Sequence, residues 1–470
     1  MSEQKKEKKG LQISAKTFLA AIAVIFALMV LTYALTLVVP GGLYFRTQDA
    51  AGNVIIDEEV GFQAIPGGLP FWKWLLSPFL VLGAAGNITL IAVIAFLLII
   101  GGVFNALEKS GLMRYMLDKI VFRCGSRRYT LLALVTLFFM SMGALIGSFE
   151  EVVPLVPIVA TLAVSLGWDT LTGLGMSLLA VGCGFASGVC NPFTVGIAQR
   201  MAGLPMFSGL WFRLLGFVLI YALLSLFLRG HAKKVEKPLD LAAISQSFQK
   251  NEKLEKAILI FALSIGIGIV LVLSSAGLTF LQDYTLFIIA GAFLVGGLWS
   301  PLRAGMTGKQ LAVTFRDGLV SMLPAVLMIL MASSIRYTLE EGKILDSILH
   351  AAVEAAQTMP KAALILFIYL IVLVMNFFIG SGSAKAFLMM PLIVPMAQIF
   401  GLPAQLCVLA FAFGDGFSNV FYPTNAALLI GLGLSNVGYT DWVKWSWKFQ
   451  ALNLLLTGAL LLVGLAIGYC

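Results

Sequence analysis

The chain has 470 residues, of which 60% are hydrophobic and only 11% are charged, and its mean hydropathy is +0.98. This composition excludes a soluble globular protein, because apolar stretches of about 20 residues, each long enough to cross a bilayer, recur along the whole chain. The net charge of +8 does not indicate a nucleic-acid partner, because the basic residues concentrate in the polar segments on one side of the predicted membrane.

Seven apolar stretches are predicted to cross the membrane as single helices. The first is longer than the apolar part of a signal peptide and has no small-residue cleavage site after it, so we expect it to be retained. The seven stretches cover residues 17–39, 88–106, 210–228, 257–276, 284–298, 319–334 and 449–468.

The basic residues indicate how these helices are oriented. With a cytoplasmic N-terminus, the cytoplasmic segments hold 23 of the 31 lysines and arginines and the outer segments hold 7, which leaves Lys385 inside an apolar segment. This bias follows the positive-inside rule. The sequence therefore predicts a multi-pass protein of the plasma (inner) membrane, with a cytoplasmic tail at residues 1–16.

Two pairs of apolar arms, each pair joined by a short polar tip, are predicted to form re-entrant hairpins. The first hairpin covers residues 129–166 and has the tip SFEE, and the second covers residues 362–400 and has the tip SGSAK. The alternative is that each pair forms two ordinary spans. We favour hairpins because the lysines and arginines then fit one topology, and because a polar tip at membrane depth survives when it faces a cavity.

A repeated motif, S-x-V-x-x-P, interrupts two further apolar helices at residues 187–192 and 418–423. The two prolines lie about half the chain apart, and each breaks a helix in its middle. Helices that are broken at corresponding positions of two halves indicate the substrate site of a transporter. The broken helices are predicted at residues 171–202 and 405–434.

The order span, span, hairpin, broken helix, span occurs twice, in opposite orientations. The first inverted repeat covers residues 17–228, and a cytoplasmic linker covers residues 229–256. An extra span and the second inverted repeat cover residues 257–470. The predicted fold class is therefore an all-α polytopic membrane protein built from inverted-topology repeats.

Four charged side chains lie at predicted membrane depth, where each costs about 2.5–3.5 kcal/mol and is a functional candidate. Glu151 and Lys385 each precede a proline by six residues, which places opposite charges at equivalent positions of the repeat. They could form a plain ion pair, or a site in which glutamate binds a cationic group and lysine an anionic one. Asp415 could pair with Lys385, bind a coupling cation or carry a proton. The coupling candidates are Glu150, Glu151 and Asp415.

Polar uncharged side chains surround the predicted tips and breaks. Four helices restart there, and their N-termini carry partial positive charge and free N–H groups, which suit a carboxylate. The side chains at these positions serve either as helix caps or as ligands. The substrate-binding candidates are Ser148, Glu150, Glu151, Asn191, Thr194, Ser381, Ser383, Lys385, Thr424 and Asn425.

Enzyme chemistry, metal binding and an organic cofactor have little support in the sequence. The five cysteines include no C-x-x-C pair, so neither zinc nor a redox pair is indicated. Gly414 and Asp415 match only part of the G-x-G-D motif of intramembrane aspartyl proteases. A serine protease would need a histidine at membrane depth, whereas His231 and His350 lie in polar flanks. We therefore predict that the chain is not an enzyme and binds no metal.

Four motifs together resemble those of the C4-dicarboxylate anaerobic carrier family, within the wider ion transporter superfamily. They lie at residues 147–157, 191–199, 380–385 and 422–425. The resemblance implies a scaffold domain, a transport domain with two hairpins and two broken helices, an elevator-type motion and a homodimer. Related sodium symporters carry Ser-Asn-Thr at both tips. This chain departs from that pattern, which argues against two-sodium coupling and suggests that Lys385 takes the place of one cation.

The resemblance also implies that the chain is either a dicarboxylate carrier or a basic amino-acid exchanger of the arginine and ornithine type. From the residues, we predict a secondary transporter of a carboxylate-bearing metabolite, with an amino acid, and in particular a basic one exchanged by antiport, as the first hypothesis. Opposite charges at the two tips suit a zwitterion. The alternative is a C4-dicarboxylate carrier coupled to Na⁺ or H⁺, and a channel is the third.

Overall fold

The computed structural model describes residues 15–48, 54–57, 60–84, 88–147, 149–238, 250–275 and 285–470, and these ranges are mostly helical. Within them, nine helices are long and apolar enough to cross a membrane. The prediction of an all-α, multi-pass membrane protein is therefore confirmed. Residues 1–14 of the predicted tail and residues 239–249 of the predicted linker lie outside the described residues.

The helices follow the apolar stretches of the sequence. In chain order they are α1 Ala15–Val38, α2 Phe71–Leu80, α3 Ile88–Lys109, α4 Leu112–Cys124, α5 Arg128–Ser141, α6 Val156–Ser165, α7 Thr170–Leu174, α8 Ala180–Ser187, α9 Ile197–Met201, α10 Leu210–Val235, α11 Glu252–Ser275, α12 Thr285–Ala304, α13 Gly308–Ser321, α14 Leu323–Glu341, α15 Leu345–Ala356, α16 Lys361–Phe378, α17 Gly382–Ile399, α18 Ala404–Ser418, α19 Ala426–Leu434 and α20 Tyr439–Ala466.

The long helices present large apolar side chains on their outer faces. Helix α10 has 26 residues and α20 has 28, and at about 1.5 Å per residue each exceeds a hydrocarbon thickness of about 30 Å. Leu226 and Leu455 on these helices are each 71% exposed in the isolated chain. A bilayer removes such apolar surface from water.

A small β structure follows α1. Strand β1 (Gly41–Tyr44) pairs antiparallel with β4 (Phe62–Ile65), and β2 (Arg46–Gln48) pairs antiparallel with β3 (Val54–Ile56). The glycine-rich and polar composition of this segment favours turns and short strands over a helix. The β structure packs on α15 and also contacts α17.

Polar contacts hold this β structure on α15. The Arg46 guanidinium donates to both oxygens of Asp346, at 2.6 and 2.9 Å, and the Tyr44 amide donates to the same carboxylate at 2.9 Å. The Phe62 ring stacks on His350 with 3.9 Å between centroids. Burial, together with the carboxylates of Asp346 and Glu354, raises the pKa of the Tyr44 phenol, which therefore stays protonated beside His350.

The first predicted hairpin is interrupted near its tip. Helix α5 continues through one π-helical turn, Met142–Ile146, and ends at Gly147, whose φ of 75° favours glycine. A 3₁₀ helix, Glu150–Leu155, then leads into α6. In the second predicted hairpin, α16 ends at Phe378 and α17 begins at Gly382. The tip of each predicted hairpin therefore lies between two helical segments.

Both helices that contain S-x-V-x-x-P are also interrupted. Helix α8 ends before Gly188, whose φ is 53°, and the chain resumes as a π-helical turn, Pro192–Gly196, that continues into α9. Helix α18 ends at Ser418, and α19 begins after the cap residue Asn425. Each interruption exposes helix ends whose backbone groups need partners other than the helix itself.

These interrupted helices form the centre of the molecule. All residues of α8 are buried, as are residues 405–418 of α18. The two helices contact each other so closely that a Cβ added to Gly416 would lie 2.1 Å from the Ala186 Cα. Helix α18 also packs on α16, and α17 packs on α9. The second predicted tip therefore lies beside both helix breaks.

Candidate substrate and ion site

The start of α17 places a lysine in the protein interior. Ser381 is the N-cap, and its hydroxyl accepts a hydrogen bond from the Ala384 amide at 3.4 Å. The Ser383 hydroxyl lies 3.4 Å from that of Ser381. One turn into the helix, Lys385 is 0% exposed. Ser381 is thus a cap, which is one of the two roles predicted for it.

Lys385 forms a buried ion pair with Asp415 of α18. The Lys385 Nζ lies 2.5 Å from Asp415 Oδ1, and both side chains are 0% exposed. Nζ also donates to the Asn376 side-chain carbonyl. Removing two charges from water is expensive, and a close contact with further hydrogen bonds offsets that penalty. Of the three roles considered for Asp415, pairing with Lys385 is the one that the structure shows.

Asn376 of α16 connects this pair to the end of α18. Its amide nitrogen lies 3.0 Å from the Asp415 carbonyl oxygen, 2.6 Å from the Ser418 hydroxyl and 3.1 Å from the Asn419 side-chain oxygen, and its two hydrogens are shared among these three acceptors. The Asn425 amide donates to the same Asn419 oxygen at 3.1 Å. A continuous polar network thus runs from Lys385 to the second helix break, and such networks fix one arrangement of a core.

Two polar atoms beside this network lack a partner in the part of the chain that the structure describes. They are Asp415 Oδ2 and Thr194 Oγ1, and both are buried. A Cβ added to Gly382 would lie 2.6 Å from Asp415 Oδ2 and 2.6 Å from the Thr194 Cγ2. Glycine at position 382 therefore allows α17, α18 and the segment after the first break to approach one another closely. Buried polar atoms without partners are costly, and a hydrogen-bond donor or a cation would satisfy both.

The asparagines at the two breaks cap the helices that follow them. Asn191 Oδ1 accepts from the Thr194 amide at 3.3 Å, and Asn425 Oδ1 accepts from the Leu428 amide at 3.1 Å. Both side chains are buried. Each side chain therefore stabilises the first turn of the helical segment that follows it. Asn425 is also part of the hydrogen-bond network around Lys385. Thr424 beside it is half-buried.

The first predicted tip is described only in part. Ser148 lies outside the described residues, as do the side chains of Glu150 and Glu151. Their backbone belongs to the 3₁₀ helix that precedes α6, and this helix contacts α19. An interaction between Glu151 and Lys385 stays a prediction.

The structure thus brings together Lys385, Asp415, Thr194 and Asn425 from the predicted set. Sequence reasoning missed Asn376 and Asn419. A search for amides as well as charges at membrane depth would have found Asn376, because it lies within the first arm of the second predicted hairpin, which forms α16. Asn419 lies inside the repeated motif but at one of its variable positions.

The model of the C4-dicarboxylate anaerobic carrier family matches residues 18–466. The chain belongs to this family. A relative from Escherichia coli K12, provisionally named basic amino acid antiporter YfcC, is 28% identical over 398 residues, which cover 81% of this chain and 79% of the relative. An uncharacterized protein of Haemophilus influenzae is 24% identical and covers 95% of this chain and 96% of its own.

Two solved structures also align with this family member over most of its length. The Alcanivorax borkumensis YdaH transporter is 18% identical, with a TM-score of 0.44, and the alignment covers 96% of this chain and 98% of that one. Neisseria gonorrhoeae MtrF is 16% identical, with a TM-score of 0.45 and coverage of 95% of each chain.

The family match confirms the resemblance seen in the sequence motifs. A member of this carrier family is a multi-pass membrane transporter that acts on small molecules, and it is not an enzyme. The buried network around Lys385 and Asp415 therefore lies in the interior of a transporter, beside two interrupted helices.

Proposed function

We propose that this chain is a secondary transporter that exchanges amino acids, specifically those with a cationic side chain. The observation that carries the proposal is the burial and the incomplete hydrogen bonding of the Asp415 carboxylate. Its carboxylate is fully buried beside the second helix break, with Lys385 on Oδ1, and its Oδ2 has no hydrogen-bond partner among the described residues. A charged oxygen kept free at this depth is an acceptor for a cationic group.

The chemistry around Asp415 Oδ2 suits an ammonium or guanidinium group. Such a group carries several N–H donors and no acceptor, and both Asp415 Oδ2 and Thr194 Oγ1 can accept. The site is closed in this structure, so the ligand enters when α17 moves away from α9. The Lys385 ammonium then shares the carboxylate with the ligand.

The start of α17 can bind the carboxylate of the same ligand. This helix has 18 residues and carries partial positive charge and free N–H groups at its N-terminus. Ser381 and Ser383 supply hydroxyl groups at this N-terminus, and Thr424 adds one at the second helix break. A zwitterion with a cationic side chain can therefore contact both kinds of group, which supports an amino acid over a plain cation.

The name of the Escherichia coli relative, a basic amino acid antiporter, supports the same class of substrate and the exchange mode. The family description, a C4-dicarboxylate carrier, favours a second candidate. In that alternative, Lys385 and the helix N-termini hold the substrate carboxylates, and Asp415 or one of the first-tip glutamates, Glu150 or Glu151, binds the coupling Na⁺ or H⁺.

We further propose that the two halves are inverted repeats and that the chain works by an elevator motion as a homodimer in the plasma (inner) membrane, with its N-terminus in the cytoplasm. The packing of α8 on α18 and of α17 on α9 supports a unit in which each half contributes to one central site. The positive-inside bias of the polar segments supports the orientation.

Exchange in liposomes tests this function. Purified protein is reconstituted into vesicles that are loaded with unlabelled arginine, ornithine, succinate or fumarate, and the uptake of radiolabelled arginine and of labelled succinate is measured. We expect arginine uptake only into vesicles loaded with arginine or ornithine. Succinate uptake without arginine uptake would establish the dicarboxylate carrier instead, and a linear current in a planar bilayer would establish a channel.

A further inference from the structure

An apolar groove lies between the turn that joins α3 to α4 and the first turns of α11. Its volume is about 290 Å³, and only apolar side chains line it. They come from α3, α4, α6 and α11 and include Leu107, Met113, Met116, Ile158, Ile258 and Phe261. All of these except Leu107 are only half-buried, so the groove opens at the surface of the isolated chain. Leu259 and Leu263 of α11 are more than half exposed, as expected of a helix that faces the acyl chains of a bilayer.

The groove lies where two parts of the hydrophobic core meet. Helices α3, α11 and α12 share a cluster of buried side chains that includes Leu107, Ala257 and Phe293. Met113 of α4 and Ile158 of α6 pack against this cluster and also against the larger core, which contains the interrupted helices α8 and α18. A ligand in the groove therefore contacts helices from both parts of the core.

Charged side chains lie at the polar end of the groove. Lys119 Nζ is 2.7 Å from Glu255 Oε1, and Lys250 Nζ is 3.7 Å from Glu255 Oε2. Lys119 follows Met116 by one turn of α4, and Glu255 precedes Ile258 by one turn of α11, so these charges lie beside lining residues on both helices. Two ammonium groups thus share one carboxylate next to the groove.

The surroundings of this polar end carry an excess of positive charge. Helix α4 contains three basic residues and one acidic residue, and residues 250–256 contain three basic and two acidic residues. The Lys250 side chain is 69% exposed, so its ammonium can contact a further anion. Basic residues at the ends of membrane helices attract anionic headgroups. An apolar groove with an excess of positive charge at one end matches a molecule that has an acyl chain attached to a phosphate.

We propose that this groove binds one acyl chain of an anionic glycerophospholipid, whose phosphate contacts Lys119 and Lys250. Acyl chains are as apolar in the bilayer as in the groove, so the charge of the headgroup supplies the selectivity. The site is separate from the network around Lys385. The proposal therefore does not depend on which substrate the chain transports.

Native mass spectrometry of the full chain in detergent tests this site. Delipidated protein is titrated with phosphatidylglycerol or with phosphatidylcholine of the same acyl chains, and the Kd of the first bound lipid is measured. We expect phosphatidylglycerol to bind about tenfold or more tightly than phosphatidylcholine. Ile258→Trp fills the groove and should raise both Kd values about tenfold. Leu259→Trp changes the adjacent exposed side chain and should leave both values unchanged. Equal Kd values for the two lipids in the wild type, or unchanged values in Ile258→Trp, would overturn the assignment.

Charge variants test the headgroup contact separately. The double variant Lys119→Gln with Lys250→Gln should reduce the preference for phosphatidylglycerol to less than about threefold and leave the Kd for phosphatidylcholine unchanged. Lys448→Gln removes an exposed lysine of α20 and should leave the preference unchanged. Lys250→Gln alone carries the test if Ile258→Trp or the double variant does not fold, and it should reduce the preference about threefold. An undiminished preference in these lysine variants would contradict the phosphate contact. Glycerol 3-phosphate has the phosphate without acyl chains, and its displacement of phosphatidylglycerol at equal concentration would contradict a role for the groove.

Discussion

The Lys385 ammonium and the Asp415 carboxylate lie 2.5 Å apart, and neither side chain has any exposed surface. They come from different interrupted segments, α17 and α18, and they meet at the second helix break. This contact neutralises two charges in the interior of a membrane transporter, and the described part of the chain offers no partner to the other carboxylate oxygen, Oδ2.

Replacing one member of this pair should destabilise the fold more than replacing both. Asp415→Asn leaves the Lys385 ammonium buried without a counter-charge, and we expect a loss of about 3–5 kcal/mol in the free energy of unfolding. The double variant Lys385→Met with Asp415→Leu should recover most of that loss, because apolar side chains of similar size often replace a buried pair without penalty. Unfolding in detergent, followed by tryptophan fluorescence, measures both.

An exposed pair provides the control for this comparison. Asp317 lies 3.1 Å from Arg316, and the two side chains are 55% and 72% exposed. Asp317→Asn should change the stability by about 1 kcal/mol or less. Equal effects of Asp415→Asn and Asp317→Asn would show that the buried pair has no special energetic role.

The close approach that glycine allows at position 382 should be necessary for transport. In Gly382→Ala, the added Cβ would lie 2.6 Å from Asp415 Oδ2 and 2.6 Å from the Thr194 Cγ2, which is closer than these atoms can approach. We expect about 1–3 kcal/mol of destabilisation from overpacking and a larger proportional loss of exchange activity. Gly380→Ala is a matched control, because its Cβ would meet nothing within 4 Å. Equal exchange rates in the two alanine variants would contradict a site at Gly382.

Asn376 should stabilise the end of α18 through its several hydrogen bonds. Asn376→Ala leaves the buried Lys385 and Asn419 each without one partner, so we expect a loss of about 1–3 kcal/mol. The reference variant is Asn105→Ala, because the Asn105 amide donates to the Thr314 carbonyl at 2.7 Å and has no other side-chain hydrogen bond within the described ranges. A smaller loss for Asn376→Ala than for Asn105→Ala would contradict the network.

The contact between Asp346 and the β structure should protect the strands from hydrogen exchange. Asp346 accepts from Arg46 and from the Tyr44 amide, so Asp346→Ala removes the anion that holds both. We expect the Tyr44 amide to exchange about tenfold faster, as measured by mass spectrometry of residues 41–48. Glu341→Gln removes only a half-exposed contact to Lys73 and should leave this rate unchanged.

The sequence was informative about where helices stop. Glycine, serine and proline interrupt apolar runs for local reasons, so the breaks at residues 187–192 and 418–423 were predictable, as was the cap at Ser381. The family also followed from its motifs. These are properties of short segments, and they do not depend on which helix lies next to which.

The partners of the charged residues were harder to predict. Asp415 had three open roles, and its pairing with Lys385 depends on the approach of α17 to α18. Nothing local in the sequence shows that Arg213 is buried and hydrogen-bonded to Val189 and Tyr469. Asn376 was overlooked because an amide in an apolar arm carries no charge. Tertiary contacts decide all three cases.

Arginine exchange by the folded Lys385→Met and Asp415→Leu double variant tests the central role of Asp415 most directly. The variant and the wild type are reconstituted at equal amounts of monodisperse protein, and labelled arginine uptake into arginine-loaded vesicles is compared. We predict a rate at least about 100-fold below that of the wild type, because the acceptor for the cationic group is gone. A rate within twofold of the wild type would contradict the account.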